Sequence, residues 1–320
     1  MSTIYCAADE RAELLESELG PDAVSLGNGL YRLDGVPRPS AWAANVWFDV
    51  ERLPVPSIKV AARTLRARSA WWAAHPLAAH RRSALISQAL PRRCDAALRV
   101  PGVRPRPLGA YALLDPATML AASRTARPFP QGVPALAEDR NGPPARAYRK
   151  LWEALVLLDR CPQPGERVFD LGSAPGSWTW ALAACGCRVI SVDKAPLDPA
   201  VAALANVTHQ RGSAFAVDAR HERADWIFSD IICYPRRLIT LIERWLSFAA
   251  CARFVITIKL QGAPDPGVIA GLRAIDHARL VHLHHNKHEL TFLRHPDLCG
   301  SDPSPWPWTA TDVAPGRTGA

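Results

Sequence analysis

From residue 146 onward, apolar runs of strand length alternate with stretches of helical period. "ARAYRKLWEALVLL" has the period of a helix, and "ERVFDLGS" that of a first buried strand. "WTWALAACG" predicts a helix, "RVISVD" a second strand, "NVTHQRG" a weaker third and "ADWIFSD" a fourth. "PRRLITLIERWLSFAA" predicts a strongly amphipathic helix. The apolar "RFVITIKL" follows as a fifth strand, and "PGVIAGLRAI" as a helix. "ARLVHLHH" and "ELTFLRH" suit an antiparallel hairpin at the sheet edge. Strands alternating with helices predict a mostly parallel sheet covered on both faces, a doubly wound α/β domain.

The first 50 residues mix the two periods. "STIYCAA" predicts a strand, "ADERAELLESEL" a helix, "AVSLGNGLYRLDG" a hairpin turning on Gly27-Asn28-Gly29, and "AANVWFDVERL" one further strand. "SIKVAARTLRAR" and "AAHRRSALISQAL" read as helices, which makes this a smaller α+β region. Residues 100–145 are rich in proline and arginine and read as a connector with one short strand at "GAYALL". The expected division is therefore 1–140, an α+β region with its connector; 141–300, the α/β domain; and 301–320, a loose tail.

Composition supports this picture. The chain has 320 residues and is 48% hydrophobic, enough for two cores. No apolar run reaches the roughly 18 residues of a membrane helix, and the N-terminus lacks the basic start and apolar block of a secretory signal. Eight scattered cysteines without a CxxC pair suit reduced thiols in a cytoplasmic protein, with a metal at Cys185 and Cys187 as the lesser alternative.

Charge adds a partner. Of the net +8, residues 51–110 hold a disproportionate share: twelve Arg/Lys against Glu51 and Asp95, a formal +10, so the rest is slightly acidic. The excess lies in Arg63, Arg66 and Arg68, the pairs Arg81-Arg82 and Arg92-Arg93, and Arg104 with Arg106. Such a segment is either a solvated arginine-rich face or a surface that tracks phosphates of a nucleic acid; its local excess favours the second.

Candidate chemistry sits at "FDLGSAPGSWTW". Apolar strand residues end at Asp170-Leu171, and Gly172-Ser173-Ala174-Pro175-Gly176-Ser177 turn into a helix. Small residues let backbone approach a ligand, and the helix offers free N–H groups. The turn is neither GxGxxG nor GxxxxGK[ST], which disfavours a dinucleotide or a nucleoside triphosphate. Asp193 closes the second strand, where an acid can accept both hydroxyls of a ribose. An adenosine-bearing ligand without pyrophosphate, S-adenosylmethionine first, fits best; a plain turn with Asp193 as a helix cap is the alternative.

"DLGSAPGSW" resembles the "DLGAAPGGW" motif of FtsJ-type RNA ribose 2′-O-methyltransferases, and "ARAYRKLWEAL" resembles the helix preceding it there. The chain is most similar to the RlmM-type enzymes, which methylate a cytidine ribose in large-subunit (23S) ribosomal RNA. The resemblance spans roughly residues 141–296. It implies a Rossmann-like methyltransferase domain using S-adenosyl-L-methionine, behind a THUMP-containing, ferredoxin-like RNA-binding front end. It implies cofactor contacts from Gly172, Ala174, Pro175, Gly176, Ser177, Trp178, Asp193, Ser213 and Asp230, with no metal. It also implies a catalytic tetrad, which falls on Lys150, Asp230, Lys259 and Glu289.

Asp230 and Lys259 each end an apolar strand, at the edge where open α/β sheets bind ligands. Taken alone, Lys259 could simply snorkel, Asp230 cap a turn, and Lys150 and Glu289 be surface charges. Burial beside Lys150 is expected to lower the Lys259 pKa towards that of a usable base, with Asp230 and Glu289 orienting the lysines and limiting the shift. The alternative is a Lys259 that stays charged and only positions the hydroxyl.

Two positions depart from the family. Ser177 replaces a glycine, and Ser213 stands where the family has an acid near the adenine, with Asp218 a substitute. His284, His285 and His288 read as surface or RNA-facing groups before metal ligands, and Trp71-Trp72 as core before a base-stacking pair.

Overall fold

The computed structural model describes residues 2–93, 97–102, 105–260, 262 and 264–298. The tail expected over 301–320, and Arg104 of the basic segment, lie outside the described residues. Contacts divide the chain into two compact units. The described residues of the first fall within 2–97 and 105–135, those of the second within 98–102 and 136–298.

The first unit is built on two sheets. Strands β1 (Ser2–Ala7), β2 (Val24–Gly27), β3 (Leu30–Asp34) and β4 (Ala43–Phe48) join β9 (Arg124–Thr125) in the order β2-β3-β1-β4-β9. Strands β5 (Glu51–Pro54), β6 (Trp72–Ala74), β7 (Gly109–Asp115) and β8 (Thr118–Ala122) form the other, in the order β5-β8-β7-β6. Helices α1 (Ala12–Leu19), α2 (Ile58–Arg66) and α3 (His80–Gln88) complete it. Two expectations change here. "AANVWFDVERL" is two strands in different sheets, broken at Asp49, whose φ of 54° is left-handed. The expected connector holds its expected strand "GAYALL" as β7, but also a second, β8, and Tyr111, Leu113 and Met119 are fully buried in a core with Leu65 and Ile86. Strand β8 is short and alanine-containing, with weak β-propensity, and the flanking prolines dominate the pattern.

Trp72 belongs to that core too, and its indole N–H donates to the carbonyls of Leu65 (2.9 Å) and Ser69 (3.0 Å). Trp71 lies under the Arg106 guanidinium, 5.3 Å from its ring centre. Helix α2 buries Ala61, Ala62 and Leu65 and turns Lys59, Arg63 and Arg66 outward, an exposed stripe at i, i+4 and i+7. Arg68, also exposed, donates through Nε and Nη2 to the two oxygens of Glu51, each at 2.8 Å.

The second unit has one seven-stranded sheet. Its strands are β10 (Arg167–Leu171), β11 (Arg188–Asp193), β12 (Val207–Arg211), β13 (Trp226–Ser229), β14 (Phe254–Lys259), β15 (Ala278–Val281) and β16 (Glu289–Arg294). They run in the order β12-β11-β10-β13-β14-β16-β15, parallel except that β16 is antiparallel to both neighbours. The final hairpin thus puts β15 at the edge and inserts β16 beside β14. Helices are α4 (Tyr148–Leu158), α5 (Ser177–Ala184), α6 (Pro199–Ala202), α7 (Pro235–Ser247) and α8 (Pro266–Arg273).

Side-chain alternation explains the two covered faces. Asp170 and Phe228 are register partners and meet α5, through Thr179 and Trp178. Phe169, one residue earlier, meets Trp245 of α7 on the opposite face. Helix α7 starts at a proline, which suits a first turn, and buries Leu238, Leu241, Ile242 and Trp245 at helical spacing. Among the described residues, no helix is long and apolar enough to cross a membrane.

Candidate active site

The strand order reverses beside β10, and the candidate residues gather at the carboxyl ends of β10, β11, β13 and β14. Strand β13 delivers Asp230 directly after Ser229, and β14 ends in Lys259. The antiparallel register sets Glu289, the first residue of β16, opposite Lys259. Lys150 comes from the first turn of α4.

The four side chains form a closed, alternating square. Lys259 Nζ donates to Asp230 Oδ1 at 2.6 Å and to Glu289 Oε2 at 2.7 Å. Lys150 Nζ lies 3.3 Å from Asp230 Oδ2 and also pairs with Glu289 Oε1. These side chains are between 6% and 20% exposed, so water screens them weakly. The Lys259 pKa runs opposite to the expected direction. Burial pulls it down, but the Asp230 and Glu289 carboxylates outweigh burial and hold it above its ordinary value. Burial likewise pushes Glu289 up, and donation from Lys150 and Lys259 overcomes it, leaving the carboxyl below its usual range. Asp230 and Glu289, expected from the sequence to limit a downward shift, reverse it at 2.6 and 2.7 Å.

A buried carboxylate supports the square. Glu153, one helical turn after Lys150, is fully buried. Its carboxylate accepts from the backbone N–H of His284 (2.8 Å) and of His285 (3.1 Å), and meets His285 Nδ1 at 2.7 Å. It therefore fastens the Lys150 helix to the turn that leads into Glu289. Reading the sequence missed it; the signal was one acid inside the otherwise apolar "LWEALVLL". His284 and His288 are exposed, as expected of surface histidines, while His285 bonds Glu153 and His288 Nε2 lies 2.8 Å from the Gly262 carbonyl. Among the described residues, no His/Cys/Asp/Glu group is arranged to hold a metal. Cys185 and Cys187 are buried thiols, pushed up by that burial to about 11 and about 12.

The turn after β10 lies beside this square. Gly172 and Gly176 have φ of 78° and 113°, which only glycine adopts freely. A Cβ on Gly172 would stand 2.8 Å from the Ile231 Cβ, so only glycine lets Ile231 pack against this turn. Ala174 N–H donates to Asp193 Oδ2 (3.0 Å) and Ala195 N–H to Oδ1 (2.9 Å), which fixes the acid at the end of β11. The Pro175 carbonyl accepts from the Asp198 N–H at 2.9 Å. Ser177 does not cap its helix: Gly176 holds that position, and the buried Ser177 Oγ makes no hydrogen bond. Trp178 faces inward, its indole N–H on the Ala147 carbonyl at 2.9 Å. Ser213 Oγ accepts from the Phe215 N–H, and Asp218 pairs with the Arg220 guanidinium in a largely exposed ion pair.

One further acid matters here. Asp170 is buried and accepts from Thr179 Oγ1 at 2.6 Å. Burial lifts its carboxyl to about 7, against that hydrogen bond, and the charges of Asp230 and Asp193 add to the rise. A raised acid binds its proton more tightly in the folded chain than in the unfolded one. Stability therefore falls as pH rises from about 4 to about 7. Asp170→Asn is expected to flatten that limb in thermal melts across this range, and an unchanged slope would assign it to other groups.

Residues 144–295 match the family model described as FtsJ-like methyltransferase. This segment is an FtsJ-like methyltransferase domain. Over 172 residues the chain is 37% identical to "Ribosomal RNA large subunit methyltransferase M" of Halorhodospira halophila, covering 51% of this chain and 50% of that protein. The protein of the same name from Alkalilimnicola ehrlichii is 33% identical over 195 residues, 57% of this chain and 54% of that one. The chain spans about half the length of these curated relatives. Among solved structures, the Methanococcus jannaschii fibrillarin pre-rRNA processing protein is 18% identical, with a TM-score of 0.32 over 44% of this chain and 71% of that one. In the methyltransferase domain the square of charges and the glycine turn share one end of the sheet.

Proposed function

We propose that the chain transfers a methyl group from S-adenosylmethionine to a ribose 2′-hydroxyl of RNA, with a cytidine of large-subunit ribosomal RNA as the target. The single observation carrying this is the closed Lys150-Asp230-Lys259-Glu289 square beside the glycine turn. The turn fits an adenosine-bearing cofactor: glycines at positive φ let it bend tightly at the end of the sheet, Asp193 is held where an acid can accept ribose hydroxyls, and the unpartnered Ser177 Oγ lies at the start of α5. When bound, that cofactor supplies a methyl already activated by its sulfonium.

The protein's task is then to orient the hydroxyl and take its proton. In the free protein the carboxylates keep Lys259 protonated. Lys259 can accept the hydroxyl proton by passing one of its own to Asp230 Oδ1, 2.6 Å away. Lys150 holds the other oxygen of Asp230 and keeps both carboxylates in place.

The basic stripe of α2, Lys59, Arg63 and Arg66, suits capture of RNA phosphates by the first unit. Affinity for RNA should fall steeply with salt, and Arg63→Ala with Arg66→Ala should lower the slope of log K against log salt by roughly 1–2. An unchanged slope removes the stripe from the interface.

The deciding experiment uses total RNA from a strain lacking the gene, purified protein and cofactor labelled in its methyl group, followed by mapping of the product. A labelled 2′-O-methylcytidine in large-subunit RNA is expected. Label on a base or none on RNA would overturn the reading.

A further inference from the structure

Among the described residues, six large hydrophobic side chains are exposed, and two of them, Ile232 (83%) and Tyr234 (67%), lie within four residues of Asp230. Their loop is firmly seated. Ser229 Oγ donates to the Leu171 carbonyl at 2.8 Å, Ile231 packs where Gly172 has no Cβ, and Cys233 is buried. The alternation in-out-in-out therefore projects Ile232 and Tyr234 from a base fixed against both the glycine turn and the square. Arg236 and Arg237 follow, both exposed, with no acid until Glu243. Arg236 is in a mostly solvent-exposed pair with Asp265 at 3.3 Å, and the Arg237 guanidinium lies 4.0 Å above the Phe215 ring.

We propose that Ile232 and Tyr234 form the platform on which the base of the target nucleotide stacks, with Arg236 and Arg237 facing the flanking phosphates. This rests on the RNA methyltransferase reading and adds a subsite to it. A ribose whose 2′-hydroxyl meets Lys259 must carry its base to one side of Asp230, and the loop is the apolar surface there. A flat ring suits any base, because every base has a π-face. The two arginines give the patch the charge that a polyanion requires. A protein partner docked on the same loop would close the square to substrate, so the occupant is the substrate itself.

Two readouts test this. The first is binding of fluorescein-labelled oligocytidylate RNA with S-adenosylhomocysteine present, followed by anisotropy. The second is methyl transfer to an unmodified large-subunit rRNA transcript. Tyr234→Ala is expected to weaken oligonucleotide binding, and to raise KM for the transcript, by roughly 5- to 100-fold, the range of one lost base stack. It should keep cofactor affinity and thermal stability, since the side chain is mostly exposed. Tyr234→Phe, which keeps the ring, should recover most of the loss. Wild-type binding with an unaltered Tyr234→Ala overturns the platform while leaving the functional reading intact. Failure of the wild-type chain to methylate any RNA overturns that reading instead, and failure to bind the oligonucleotide at all overturns the platform directly.

Discussion

Replacing Lys259 with methionine is expected to leave cofactor affinity unchanged and to lower the single-turnover rate by roughly 10²- to 10⁴-fold. Methionine keeps most of the volume at the end of β14 but removes the group that contacts both carboxylates. The glycine turn is held by Val192, Asp193 and Ile231 and does not depend on Lys259, so cofactor titration should be unaffected. Lys259→Arg separates the two roles open to this residue. Arginine keeps the charge and the donors but does not give up a proton at any working pH. Loss of turnover in both variants supports proton transfer through Lys259; activity in the arginine variant alone reduces the residue to an orienting cation. Near-normal methylation by the methionine variant would sink the tetrad assignment.

The largest stability effect is expected at Glu153, away from any ligand. Glu153→Ala leaves at least three donors without their acceptor: the N–H groups of His284 and His285 and the His285 ring. At about 1–3 kcal/mol per orphaned group, reduced by water entering the space, the cost is about 3–5 kcal/mol. Thermal unfolding of the methyltransferase domain should shift down by roughly 6–20 °C. The same contacts fasten Lys150's helix to the approach of Glu289, so activity should fall even at temperatures where the variant is folded. A melting point within a degree or two of wild type would show that solvent replaces the carboxylate without loss.

The methyltransferase domain was legible because nearly every element carries its own period: β10, β13 and β14 as buried apolar runs, α7 as an amphipathic helix. Asp230 and Lys259 stood out for the same reason, as charges ending apolar strands. What stayed hidden depended on partners distant in sequence. Glu153 looks like a surface acid until residues 131 and 132 positions away fold onto it. The rise in the Lys259 pKa follows from a β14–β16 register that composition does not encode. In the first unit, β7 was legible as "GAYALL", while β8 is short and alanine-containing, and the break between β4 and β5 rests on one residue, Asp49.

On the proposed function, the square of side chains also bears on which part of an RNA can enter. Two lysines and two carboxylates sum to no net charge, although each member is strongly charged. Every ribose hydroxyl on RNA has a phosphate close by. An isolated lysine at the end of β14 would attract that phosphate first and hold it where the hydroxyl must enter. With the charges balanced, the pull on anions belongs to cations outside the square, on the stripe of α2 and at Arg236 and Arg237, and the square itself favours a neutral hydroxyl over a charged neighbour. Removing one carboxylate would thus do more than disorder a lysine: it would turn the site into a phosphate trap, with RNA bound more tightly and released more slowly.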